Sequence, residues 1–333
     1  MNGVSLIIPI YNVEEYIEEC LQSVVKSMDG LSNIQVILVD DGSQDSSGKI
    51  AQEFSNQYSN FLYVCKENGG LSDARNFGMN YVEYNFIAFL DSDDYIAAEY
   101  FKEVFKVIPS DPDMIIFDWE DVGENNYSNL VKGIDFPDSL WTVQPSAWNK
   151  IYKKDLFNEV KFPKGKIYED VGTIYKLLYF VKDYTYISKP LYKYRKNRGG
   201  SILSTISPKI NDIYEVLDST YNFYKSKDAL SKKNNEGLCY QYVKLLMWSN
   251  MYRQLKFYKF NLWGFYNKMK QTRVIINKLF KEWKTNEYIN KNEEFFSKRL
   301  GNNFIGKFDG IGKSFLRTTM IVSFLAFKNK SRF

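Results

Sequence analysis

Apolar positions along the first part of the chain fall into two alternating rhythms. The runs VSLIIPI (4–10), IQVILV (34–39), FLYVC (61–65) and FIAFL (86–90) are short, rich in β-branched or aromatic residues and bounded by turn formers. That pattern predicts buried strands. Between them, 14–26, 45–58 and 72–81 space their apolar residues near 3.6, which predicts helices, and 95–107 and 171–181 read the same way. Strand and helix in alternation predict parallel βαβ units. The expected fold class is therefore α/β, an open, mostly parallel twisted sheet with helices on both faces. A strand at 113–119 and the pair 184–188 and 191–195 extend it. From about residue 207 strand signals stop, no proline follows Pro208, and Lys/Tyr/Phe-rich helical stretches such as 212–224 and 237–260 take over. The boundary is placed near 204–210, giving an α/β domain over 1–204 and a mainly α-helical region over 205–333.

Composition adds little until charge is divided along the chain. The apolar and charged fractions, 44% and 25%, are ordinary for a globular protein, while 26 Tyr and 25 Phe are many. Cys20, Cys65 and Cys239 are scattered, which argues against a disulfide framework and a structural zinc site and fits a reducing compartment. The start, MNGVSLIIPIYN, lacks a basic leader region, and no run approaches the ~20 apolar residues of a membrane span. A cytoplasmic location is expected. Net charge is +4 overall, but residues 1–204 sum to −10 and 205–333 to +14. An acidic half suits cations and a basic half suits anionic partners.

Ligands of open α/β sheets bind outside the carboxyl ends of strands, and there the chain is unusually polar. The four strand ends carry Pro9-Ile10-Tyr11-Asn12, Asp40-Asp41-Gly42-Ser43, Asn68-Gly69-Gly70 through Arg75, and Asp91-Ser92-Asp93-Asp94. Three carboxylates within four residues repel one another unless a cation sits among them. Such hard oxygen donors suit Mg²⁺ or Mn²⁺ beside a substrate phosphate. Taken alone, the same four residues also read as an acidic turn with Asp94 as a helix N-cap. A carboxylate at 40 or 41 suits a nucleobase imide or a ribose hydroxyl, and equally a turn. Arg75 suits a phosphate, or a surface ion pair with Asp73 or a neighbour. Glu169-Asp170 sits at a predicted helix start, where a carboxylate serves as a general base or simply complements the helix dipole. Their joint occurrence at four successive strand ends favours one shared nucleotide site.

The segments SLIIPIYN (5–12), VDDGSQDSS (39–47), ENGGLSDARN (67–76) and FLDSDD (89–94) resemble, in order and spacing, the signatures of the family 2 inverting glycosyltransferases of GT-A fold. AWNKIY (147–152), YEDV (168–171) and YKYRKNRGGSI (192–202) are similar to that family's later motifs, so the likeness covers residues 4–202. The resemblance implies a sugar transfer from a UDP-sugar to a glycan or lipid-linked acceptor, of the type that builds bacterial surface polysaccharides. It implies that Pro9 and Tyr11 bracket the nucleobase with Asp41, and less so Asp40, accepting from it. Arg75 would steady the nucleotide. Asp91 and Asp93 would hold Mn²⁺ or Mg²⁺, with Asp91 also facing the ribose. Asp170 would be the catalytic base, with Glu169 beside it on the acceptor side and Trp148 walling a sugar ring. Arg195, Arg198 and Ser201 would hold the diphosphate. Related groups supply a late histidine to the metal, but this chain has no His, leaving phosphate, water or Asn197 to complete the shell.

The C-terminal region lies outside the resemblance. Its basic, aromatic-rich helices suit a peripheral seat on an anionic membrane, with 311–333 lying in the interface. A helical lid or a homodimer contact is the competing reading, and no nucleic-acid partner is expected. Two rival functions remain: a non-catalytic carbohydrate-binding or assembly protein, and a metal-dependent nucleotidyltransferase. The first leaves Asp93 and Asp170 without a task, and the second lacks a Lys-bearing Gly-rich phosphate loop. A dinucleotide-binding dehydrogenase is excluded because PIYN stands where G-x-G-x-x-G would be needed.

Overall fold

The computed structural model describes residues 2–124, 127–196, 206–259 and 261–328, and the chain divides into two compact units, 1–201 and 202–333. In the first, β1 (Val4–Ile10) and β2 (Ile34–Asp40) are buried at every position. Both faces of these central strands are covered, which is why their sequences are continuous apolar runs without alternation. β3 (Phe61–Cys65) and β4 (Phe86–Phe89) flank them, giving the parallel order β3-β2-β1-β4. The chain winds outward from β1 to β3 and then returns to β1's other side. The carboxyl ends of β1 and β4 therefore form a topological switch point, the crevice where such sheets bind ligands.

Helices α1 (Ile17–Ser27), α2 (Ser47–Gln57) and α3 (Leu71–Gly78) connect these strands. α1 buries Ile17, Cys20, Leu21 and Val24, one stripe at helical spacing. Beyond β4 the sheet becomes mixed. The short strand β5 (Tyr95–Ile96) precedes α4 (Tyr100–Val107). The predicted helix over 95–107 thus starts five residues late, because Tyr95 and Ile96 pair with the sheet. Next come β6 (Met114–Gly123), β7 (Tyr127–Val131), β8 (Lys150–Lys153), α5 (Glu169–Leu177) and β9 (Tyr184–Arg195). The sheet order continues β4-β8-β6-β9-β5, with β7 pairing β6. β8 enters antiparallel to both β4 and β6, whereas β9 runs parallel to β6. The pair of strands expected at 184–188 and 191–195 is one strand whose register slips beside Pro190. A proline cannot donate to the ladder, and a bulge absorbs it.

The second unit, by itself, is helical: α6 (Asp212–Ser226), α7 (Lys232–Tyr242), α8 (Asn250–Phe257), α9 (Leu262–Leu279), α10 (Glu287–Lys291), α11 (Glu293–Leu300), α12 (Phe304–Gly310) and α13 (Phe315–Lys328). A π-helical segment, Val243–Ser249, joins α7 to α8 within the stretch expected to be helical over 237–260. Its core is aromatic, with Tyr240, Phe304 and Phe308 each in ring contact with Phe296.

Gly78 ends α3 where that helix meets β1 and β2. A Cβ there would lie 2.7 Å from Ile7 Cγ2 and 3.0 Å from Val39 Cγ2. Helix propensity favours alanine by up to about 1 kcal/mol, but overpacking costs about 1–3 kcal/mol. Gly78→Ala should therefore lower stability, read as an earlier denaturant midpoint at unchanged slope.

Candidate active site

Arg75, in the second turn of α3, is 1% exposed. Its Nη2 donates to Asp91 Oδ1 at 2.7 Å, and its Nη1 donates to Asp170 Oδ1 at 2.6 Å and Glu169 Oε1 at 3.2 Å. Phe162 supports the guanidinium, its ring centroid 5.2 Å from Cζ. One buried fork thus ties the end of β4 to the start of α5. The ion pair with Asp73 does not form, because Asp73 is taken by Lys66 and Lys164. Burial and the charge of Asp170 push the carboxyl of Glu169 up to about 7. Burial also raises Asp170, with the Arg75 charge opposing it. Tyr168, immediately before this acid pair, holds φ at 65°. A left-handed tyrosine costs about 1–2 kcal/mol, and such strain clusters at functional sites.

Asp170 is held from a second side by the Ala147 N–H, which donates to its Oδ2 at 3.1 Å. The segment bearing Ala147 is folded around Lys150, which is completely buried. Lys150 Nζ donates to Gln144 O at 2.6 Å, Ser146 O at 2.7 Å and Asn149 Oδ1 at 2.5 Å. Burial drives this amine down to about 7, while the charge of Asp170 opposes the shift. Three oxygens facing three N–H bonds also favour the ammonium form.

At the end of β4, carboxylate oxygens of Asp91, Asp93 and Asp94 lie within 4.8 Å of one another. Asp94 is not a helix cap. Its Oδ2 accepts from Tyr192 Oη and its Oδ1 from the Arg195 N–H, each at 2.7 Å. Burial, and next the charge of Asp91, raise it to about 8. Such a set of hard oxygens, crowded enough to hold a proton near neutrality, fits a divalent cation.

The carboxylates of β2 are satisfied locally. Asp40 accepts from the Ser43 N–H at 2.9 Å and Tyr63 Oη at 2.8 Å. Asp41 accepts from Lys66 Nζ at 2.6 Å and from the backbone N–H groups of Gly69 at 2.9 Å and Gly70 at 2.7 Å. Gly70 has φ 84°, a conformation glycine adopts without cost. Asp41 therefore anchors the loop that leads into α3 and Arg75. Pro9 is buried in β1, while Tyr11 just beyond it is 48% exposed.

Trp148 is only 6% exposed. It stacks on Tyr192 at 4.2 Å and Tyr194 at 5.4 Å and meets Trp119 edge-on at 5.1 Å. It is thus the middle of an aromatic stack, with the partly exposed Tyr194 as its outer member. Arg195 points its Nη2 to Glu19 at 2.9 Å and its Nε to the Asp93 carbonyl at 2.9 Å. Its guanidinium also lies beside the rings of Tyr16 and Tyr95. Arg198, Ser201 and Asn197 lie outside the described residues. Sequence reasoning missed Lys150 and Tyr192, although both lie inside the quoted motifs AWNKIY and YKYRKNRGGSI.

Acidic strand ends at the switch point of the parallel sheet, joined through Arg75 to an acid pair on a helix start, stand where open α/β sheets bind their ligands. Residues 5–176 match the model of the family described as Glycosyl transferase family 2, and the chain belongs to that family. It is 30% identical over 251 residues to the putative glycosyltransferase EpsH of Bacillus subtilis, covering 70% of each chain. It is 33% identical over 216 residues to glycosyltransferase GlyA of Streptococcus pneumoniae, covering 59% of this chain but only 31% of that protein. The fold matches the crystal structure of Staphylococcus aureus TarS 1–349 in complex with UDP-GlcNAc, with TM-score 0.69 and 20% identity over 98% of this chain and 92% of that one. Among the described residues no helix is long and apolar enough to cross a membrane.

Two measurements probe this acid-loaded centre. Glu169 and Asp94 hold protons more tightly folded than unfolded, so their contribution is complete below about pH 4 and lost as pH rises toward 8. Carboxyls depressed by lysines, such as Asp73 and Glu120, titrate below that window, whereas Lys150, driven down to about 7, gains stability above that pH and offsets part of the loss. With divalent cations chelated, the melting temperature should fall between pH 5.5 and 8.0 by roughly 5 °C, on the order of 2 kcal/mol. A flat profile would contradict the assignment. Arg75→Met should cost about 3–5 kcal/mol at pH 8, and less at pH 5.5, where protonation relieves the carboxylates.

Proposed function

We propose that this chain transfers a hexose or N-acetylhexosamine, with inversion, from a UDP-sugar to a hydroxyl of a glycan or lipid-linked saccharide in bacterial surface glycan synthesis. The observation that carries the reading is the convergence of Asp91, Glu169 and Asp170 on Arg75 at the switch point. The names of relatives agree with it. TarS is a poly(ribitol-phosphate) beta-N-acetylglucosaminyltransferase, and GgaB of Bacillus subtilis is a minor teichoic acid biosynthesis protein.

Asp170 is the general base. Burial makes its carboxylate a better proton acceptor, and two hydrogen bonds from Arg75 and Ala147 fix its orientation while each oxygen keeps a second lone pair. The acceptor O–H gives its proton to Asp170 as the oxygen bonds the anomeric carbon. The bond to the diphosphate breaks on the opposite face, and UDP leaves. Glu169 shares Arg75 and keeps the acceptor side acidic. Asp91 and Asp93 would hold Mn²⁺ or Mg²⁺, which when bound neutralises the departing diphosphate. Asp91 has an oxygen not used by Arg75 and a side chain 23% exposed. Pro9 and Tyr11 flank the base, and Asp41 shapes the neighbouring loop. Arg75 acts as the positioning residue of the acids, a role that takes precedence over contact with the nucleotide. Trp148 acts on the acceptor side through Tyr194. Residues 1–204 form the catalytic domain and 205–333 an accessory one at the cytoplasmic membrane face.

Calorimetric titration with UDP, ADP and GDP, with and without Mn²⁺, tests the donor class: UDP should bind, metal-dependently, and the others should not. Asp170→Asn should lower transfer at least 10²-fold (about 10²–10⁴ for a general base) while leaving UDP affinity within about twofold. Asp93→Ala should instead abolish the Mn²⁺ dependence of UDP binding. Near-normal turnover by Asp170→Asn would remove the base assignment.

A further inference from the structure

We propose that the face formed by α9 and α13 seats this chain on an anionic lipid bilayer, an inference that specifies the membrane contact of the function above. Five apolar side chains in these helices are strongly exposed: Trp263 at 59%, Val274 at 56%, Phe315 at 40%, Leu316 at 70% and Met320 at 63%. Scattered exposed apolar residues need no explanation, but a contiguous patch does. Here the rings touch, with Trp263 5.3 Å from Phe315 and Tyr266 5.6 Å from Trp263 and 5.9 Å from Phe315. The two helices are fixed as one surface at Gly312, where an added Cβ would lie 2.5 Å from the backbone of Met269. Residues 263, 267, 270, 274 and 278 of α9 are all exposed and, spaced by three and four, share one side of the helix.

Charge selects the partner. Residues 253–281 contain eight Lys or Arg and no Asp or Glu, and 310–333 contain five and none. Lys270, Lys278 and Arg317 are exposed on the same two helices as the patch, and Lys313 is exposed in the turn that leads into α13. Elsewhere in this unit acidic side chains are interspersed, as in α6 and α11. An apolar, aromatic-centred patch on helices free of carboxylates matches the chemistry of a bilayer interface. Trp and Tyr rings sit at the headgroup level while lysines and arginines meet anionic lipid. A second copy of the chain would bring the same positive charge against itself.

The test uses the full chain with sedimenting vesicles of phosphatidylcholine alone and of phosphatidylcholine with one-third phosphatidylglycerol. Binding should occur on the anionic vesicles only and weaken at least tenfold in high salt. Trp263→Ser with Leu316→Ser and Met320→Ser should lose it, and so should Lys270→Glu with Lys278→Glu and Arg317→Glu, which leaves the apolar patch intact. Both variants should keep UDP affinity and transfer to a soluble acceptor, showing that they fold. No binding of the unaltered chain to anionic vesicles, or binding by either variant as tight as that of the unaltered chain, overturns the proposal. So does a dimer that only the apolar variant dissolves, since the occupant is then a second copy. Vesicle binding does not use the donor, so its failure leaves the transferase reading standing.

Discussion

Arg75 has no water to solvate it, and three carboxylates do that work instead. A guanidinium is the one side chain able to meet them from a rigid planar fork while remaining charged in a dry site. Because the partners come from the end of β4 and the first turn of α5, the contact does more than neutralise charge. It sets the distance between the strand that carries the acidic turn and the helix that carries the acid pair. Asp41 holds the Gly69–Gly70 loop, the loop starts α3, and α3 delivers Arg75. The buried carboxylate of Asp41, just past the end of β2 and far from the acid pair in sequence, is thus part of the support of the reaction centre.

The same arrangement leaves the centre short of positive charge. Asp91, Asp93, Asp94, Glu169 and Asp170 gather where Arg75 is the cation in direct contact with three of them. Burial first, and the neighbouring carboxylates next, raise Glu169 to about 7 and Asp94 to about 8. A folded chain maintains such repulsion only where something else compensates it. A divalent cation and the proton of an acceptor hydroxyl are the two positive species the proposed reaction brings. Lys150 contributes from behind, its ammonium spent on three oxygens of the loop that caps Asp170.

The helical unit obeys a different economy. Its interior is filled with aromatic rings and, among the described residues, its basic side chains other than the buried Lys244 keep to the outside, so the positive charge of the second half is largely a surface property. On α9 and α13 that charge coincides with apolar side chains that the fold leaves uncovered.

The parallel half of the sheet was legible in the sequence because doubly buried strands are mostly apolar, and β1 and β2 are so apart from Ser5 and Gln35, which hydrogen-bond each other, and Asp40 at the strand end. The acidic turn 91–94 and the pair Glu169–Asp170 were legible too, since strand ends and helix starts are local features. What the sequence left open was every pairing across distance. Arg75 and Asp170 are 95 positions apart, and local pattern assigned Arg75 to a phosphate or to Asp73. Asp94 read either as part of a cation-binding turn or as a helix cap, and the cap does not form because Tyr95 and Ile96 join the sheet while Asp94 accepts from Tyr192 and Arg195. Trp148 read as a sugar wall and lies inside a stack of rings. Periodicity records which face of an element is buried and nothing about its neighbour. Which charge meets which is settled only when packing removes water and each buried polar group must find a partner.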